Sequence, residues 1–131
     1  MPTRGVRGAT TLDRNDAAAV VERTGELLRL LVESNGILPE DVASVLFTVT
    51  EDVDAEFPAV AVRAMKGWEE VPLLCSREIP VSKALGRCIR VLLLWNTSRS
   101  QSEVRHAYVR GARTLRPAWA VRVPGDEAGP S

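Results

Sequence analysis

Cys88-Ile89-Arg90-Val91-Leu92-Leu93-Leu94 is the stretch that most narrows what this chain can fold into. A β-strand sends successive side chains to opposite faces, and here both alternating sets are apolar, which predicts burial on both sides. Arg90 breaks the pattern, since it shares its face with Cys88, Leu92 and Leu94. A guanidinium does not give up its proton, so a buried one needs an anion or a set of acceptors. An internal ion pair, with Glu78 as a candidate partner, would meet that need. So would a strand end that lets the group reach water.

The flanking sequence supplies the other elements. Thr3 to Ala9 reads as a first strand, and Thr10 to Asn15 holds residues that stop strands and cap helices. From Asp16 the spacing of Val20, Thr24, Leu27, Leu28 and Leu31 predicts a helix that stops at Ser34-Asn35-Gly36. Pro39-Glu40-Asp41 starts a short helical turn before a second strand, Val45 to Thr50. Pro58 suits the first turn of a helix running to Lys66, with Gly67 just past its end. Val71 to Ile79 and Arg87 to Thr97 are the third and fourth strands. Ser100 and Glu103 resemble a capping box opening a helix through about Arg113, with Val104, Ala107, Tyr108, Ala112 and Leu115 near one stripe. Pro117 limits that helix, and Val121 to Val123 is a candidate extended tail. The order β-α-β-α-β-β-α predicts an α/β or α+β domain, a mixed sheet with helices packed on it. One domain spans residues 1–117, and 118–131 forms a tail whose small, polar, Pro- and Gly-containing end is expected to be disordered.

Composition removes several function classes. Seventeen basic residues balance seventeen acidic ones, so net charge draws the chain to neither nucleic acid nor an anionic membrane. The start lacks the apolar core of a signal peptide, and Val91 to Trp95 is too short to span a bilayer, so a soluble, cytoplasmic protein is expected. Cys75 and Cys88 lack CxxC spacing and sit in apolar segments, where free thiols behave as small hydrophobes. His106 has no companion ligands at metal-binding spacing, so no metal is expected. No GxSxG motif, phosphate-binding glycine loop or dinucleotide fingerprint occurs.

Other candidate residues have ordinary explanations when taken singly. Glu78 reads as a solvated strand-end carboxylate, Arg7 as a solvent-facing strand arginine between two glycines, and Tyr108 as a core tyrosine with a satisfied hydroxyl. His106 reads as a surface or satisfied histidine rather than a general base. Glu51, Asp52, Asp54 and Glu56 read as an acidic loop before a helix N-terminus.

Taken together and in order, the residues resemble the monofunctional trimeric chorismate mutases over nearly the whole chain. The similarity rests on Arg4-Gly5-Val6-Arg7-Gly8-Ala9-Thr10-Thr11, Phe57-Pro58-Ala59, Ala61-Val62-Arg63, Gly67-Trp68, and Val71-Pro72 with Cys75 and Glu78. It continues through Lys83 and Leu85, Cys88-Ile89-Arg90-Val91, Arg105-His106-Tyr108 and Leu115-Arg116-Pro117. The resemblance implies a homotrimeric pseudo-α/β barrel with active sites between subunits, and rearrangement of chorismate to prephenate without cofactor or metal. It implies Arg90 as the principal catalytic residue at the ether oxygen, Arg7 gripping a carboxylate, Glu78 accepting from the ring hydroxyl with Cys75 in support, and Tyr108 donating at the carboxylate. Phe57, Ala59, Leu73 and Leu74 would shape the wall, Arg63 and Arg116 would sit near the mouth, and Leu115 would also bind substrate. Val60 stands where relatives are often basic. Two alternatives share the architecture: a noncatalytic carboxylate-binding trimer, and another interfacial-site enzyme such as an imine deaminase. The second does not explain the joint presence of Arg7, Cys75, Glu78, Arg90 and Tyr108.

Overall fold

A computed structural model describes residues 1–126. Its elements are β1 (Thr3–Thr11), α1 (Ala17–Asn35), β2 (Val42–Val49), α2 (Ala59–Arg63), β3 (Leu73–Arg77), β4 (Cys88–Asn96) and β5 (Ala107–Tyr108), with short 3-10 turns at Pro39–Asp41, Gln101–Glu103, Arg110–Thr114 and Pro117–Trp119. The strands form one mixed sheet in the order β3-β2-β4-β1-β5. β4 runs antiparallel to both β1 and β2, whereas β2 pairs parallel with β3 and β1 with β5. The α+β reading and its mixed sheet are therefore present.

Helix α1 begins where Asp16 accepts the Ala19 backbone N–H at 2.7 Å, and it ends at Gly36, whose φ of 72° is open to glycine. The Ala19 N–H, and then Arg14, hold the Asp16 carboxyl below its ordinary value. Val20, Thr24, Leu27, Leu28 and Leu31 are buried against one sheet face, with Val6, Val45, Phe47, Ile89, Val91 and Leu93 in the same core. Gly8 permits the close approach of that helix: a Cβ there would lie 3.0 Å from Leu31 Cδ1 and 3.1 Å from the Ala107 carbonyl oxygen.

Burial on both faces of β4 is not achieved within one chain. Ile89, Val91, Leu93 and Trp95 are buried under α1, but Leu92 and Leu94 remain half-exposed. Their face continues through Gly5 and Arg7 of β1, and through Ser44, Leu46 and Thr48 of β2. The reason is topological. The segments after β4 gather beyond the β1 edge and leave this middle stretch without a covering layer among the described residues.

The last helix expected from the sequence does not form. Ser100 and Glu103 do make the capping box, but it closes only the Gln101–Glu103 turn. The free edge of β1 then competes for the chain: β5 pairs with it, and the Val109 N–H donates to the Ala9 carbonyl at 3.0 Å. Arg110 follows at a φ of 54°, which a continuous α-helix cannot contain. The helix expected to reach Lys66 stops at Arg63, and the third strand is shorter than Val71 to Ile79, although the Glu78 N–H still donates to the Val49 carbonyl at 2.8 Å. Beyond Pro117 the chain lies against β5, where the Val121 N–H donates to the Tyr108 carbonyl at 2.9 Å. Of the end expected to be disordered, residues 125–131, Gly125 and Asp126 are placed in a turn in which the Asp126 N–H donates to the Val123 carbonyl at 3.1 Å, and 127–131 lie outside the described residues.

Candidate active site

Strand register brings several of the candidate residues together. Arg90 stands opposite Ala9 of β1 and Thr48 of β2, and Ala9 is paired in turn with Tyr108 of β5. Register partners share a face, as do residues two apart along a strand, so Arg7 joins Arg90 and Tyr108 on the face turned away from α1. Glu78 reaches the same place from the end of β3: its Oε2 lies 3.5 Å from Arg90 Nε and accepts a hydrogen bond from the Thr48 hydroxyl. An internal ion pair with Glu78 is thus real. It leaves the Arg90 Nε–H buried without a hydrogen-bond partner among the described residues, however. Buried donors are rarely left so, and this one belongs to a permanent cation.

Beside it, Cys88 is fully buried and its thiol is pushed up to about 11, chiefly by burial. Cys88 packs with Ala9, Tyr108 and Ala112 in a small apolar cluster, against which Leu85, Leu115 and Trp119 are half-buried. Tyr108 is buried with its ring 5.8 Å from that of Trp119. The Arg116 Cζ lies 3.7 Å from the Trp119 ring centroid. Arg7, Glu78, Arg90, Tyr108, Leu115 and Arg116 therefore belong to one region of the chain.

The remaining candidates lie elsewhere. Phe57 and Cys75 line one depression of about 390 Å³ between the loop before α2 and β3. Arg63 and Leu73 line another of about 330 Å³, and Ala59 is buried in the main core. Cys75 pairs with Phe47, a core residue, so its side chain stands on the opposite face of the sheet from the Arg90–Glu78 contact. Phe57 and Leu74 are 68% and 61% exposed.

Three participants escape a reading of the sequence. Thr48 becomes visible only when register places it between Arg90 and Glu78. Trp119 acquires its contacts from the folding-back of the tail. His106, expected to be a surface or satisfied histidine, is half-buried and accepts at its Nδ1 from the Arg7 backbone N–H at 2.9 Å. The acidic loop has structural work: Asp52 accepts the Arg87 N–H at 2.9 Å, and it is held below its ordinary value chiefly by the Thr50 hydroxyl.

Packed arginines, one carboxylate and a buried tyrosine on a mixed α+β sheet describe a site for a small anionic molecule. The family profile for chorismate mutase type I matches residues 3–119. The chorismate mutase AroH of Thermus thermophilus is 50% identical over 115 residues, covering 87% of this chain and 93% of that protein. The chorismate mutase AroH of Bacillus subtilis (strain 168) is 41% identical over 117 residues, covering 89% and 92%. Among solved structures, the chorismate mutase from Clostridium thermocellum superposes with a TM-score of 0.82 at 43% identity, covering 85% of this chain and 98% of that one. The chain belongs to the type I chorismate mutase family.

Proposed function

We propose that this chain converts chorismate to prephenate in a site completed by a second copy of itself. The enzyme class, an isomerase of the chorismate mutase kind, follows from the family. The observation that carries it is the buried Arg90 Nε–H, beside Glu78 but without a hydrogen bond among the described residues. Arg7, Arg90 and Arg116 set against Glu78 leave two positive charges in surplus, which suits a dicarboxylate substrate.

The reaction is a Claisen rearrangement: the ether C–O bond breaks as a C–C bond forms, electrons move around a six-membered ring, and no proton is transferred. The protein's work is to hold the folded conformer and to stabilise separating charge. Arg90 donates to the ether oxygen as it becomes negative, and Glu78 accepts from the ring hydroxyl. Arg7 grips a carboxylate through its planar fork, and Tyr108 adds a hydroxyl donor. Arg116 draws the anion in.

Phe57, Ala59, Arg63, Leu73 and Cys75 lie in the core, before or within α2, or on the other sheet face, and Leu74 shares the cluster's face but stands exposed on the β3 edge. They serve a neighbour's cluster instead. Three copies related by a threefold axis would close such heterologous contacts into a trimeric barrel and cover the leucine face. We place the enzyme in the cytoplasm, where its two free cysteines stay reduced and its product enters aromatic amino-acid biosynthesis. No helix among the described residues is long and apolar enough to cross a membrane.

The test is loss of chorismate absorbance with product identified by chromatography. Arg90→Ala should lower kcat by at least ~10²-fold, the cost of one lost oxyanion donor. Arg90→Lys keeps the charge but loses the fork, and should also be severely impaired. A wild-type protein that leaves chorismate at the uncatalysed rate while folded and assembled would make the noncatalytic carboxylate-binding trimer the better account.

A further inference from the structure

The parallel β1–β5 ladder starts at Gly8 and Ala107. One residue earlier, the Arg7 N–H faces a segment that is not yet strand, and the His106 imidazole supplies the acceptor there, Nδ1 at 2.9 Å. The ring centroid lies 3.9 Å from that of Trp119. The backbone just before it is held by the buried Asn35 at the end of α1, whose Oδ1 accepts from the Arg105 N–H at 2.8 Å and whose Nδ2 donates to the Arg105 carbonyl at 2.9 Å.

We propose that His106 is the positioning residue for Arg7: its unprotonated Nδ1 stands in for a strand carbonyl and holds the Arg7 backbone, so the Arg7 grip on a substrate carboxylate requires a neutral imidazole. This rests on the substrate-binding role given to Arg7 above. A nitrogen that accepts an N–H carries no proton, so the neutral ring is the Nε2–H tautomer. The charges felt by the ring are Arg116, from the segment entering the last 3-10 turn, and Arg7 from β1, and both are cationic; Asn35 of α1 is uncharged and holds the adjoining Arg105 backbone. Burial first, then Arg116 and Arg7, hold the ring below the ordinary histidine value. Protonation would set a donor against the Arg7 N–H and add a third positive charge to the pair. The amide would lose its partner, and the carboxylate grip would loosen as pH falls through that lowered value.

His106 is the one histidine of the chain, so its ring nitrogens can be followed without ambiguity by ¹⁵N NMR on protein carrying no histidine tag. The wild-type ring should be the Nε2–H tautomer at neutral pH, with the Arg7 amide shift following its titration. His106→Ala should raise KM for chorismate roughly five- to tenfold above neutral pH, the range for one lost neutral hydrogen bond, with kcat changed much less. His106→Asn, whose Oδ1 overlays Nδ1 but does not titrate, should restore KM and remove the histidine-dependent acid rise in KM. A wild-type KM in His106→Ala, an Nδ1–H tautomer at neutral pH, or an unchanged acid rise in His106→Asn would each overturn the proposal. Should the alanine variant fail to fold, the tautomer and the asparagine profile decide. Absence of chorismate turnover in wild type would instead sink the catalytic reading, whatever the spectrum shows.

Discussion

A carboxylate 3.5 Å from the Nε of a half-buried guanidinium holds that cation in place before any ligand arrives, yet leaves the buried Nε–H without a hydrogen bond among the described residues. Removing either charge strands the other in a partly dry site, so loss of stability has to be separated from loss of chemistry in any variant of this pair. Cys88, buried beside Arg90, gives a cleaner residue-level test. With its thiol pushed up to about 11, on the order of a thousandth is thiolate at pH 8. In native protein Cys88 should therefore stay unreactive toward a disulfide reagent, and both cysteines should titrate after unfolding in guanidinium. Rapid reaction of Cys88 in the folded state would show that its shielding is weaker than its burial indicates.

At the scale of elements, the close contact of α1, β1 and β5 depends on Gly8. Gly8→Val would drive branched methyls toward Leu27, Leu31 and the Ala107 carbonyl, and the carbonyl is strand backbone with little room to yield. Overpacking of this kind costs about 1–3 kcal/mol, readable as a lower urea midpoint at unchanged m-value. Activity should fall further than stability, because β5 carries Tyr108. The same elements show what was legible in advance. Helix α1 follows from its apolar spacing, Asp16 cap and Gly36 stop, all local signals. The Ser100–Glu103 box is equally local and correctly formed, but the continuation after it is not local. Competition from the open edge of β1 and the positive φ of Arg110 converted the expected helix into β5 and 3-10 turns.

For the whole molecule, the half-exposed Leu46, Leu92 and Leu94 and the exposed Leu74 and Phe57 are surfaces that a second copy would cover. Leu94→Glu should shift the assembly to monomer in sedimentation velocity and abolish activity with it, while Arg90→Ala should leave assembly intact. A monomeric wild type with full activity would refute the shared site. The sequence by itself determined the apolar patterns, the caps and the anomalous Arg90, because these depend on neighbours within a few residues. It also carried enough ordered motifs to indicate a family. Only the tertiary structure decided that Thr48 lies between Arg90 and Glu78, that His106 serves the Arg7 amide, and that Cys75 stands away from Glu78. Those placements depend on strand register and edge competition between segments as many as a hundred residues apart, and no local pattern encodes them.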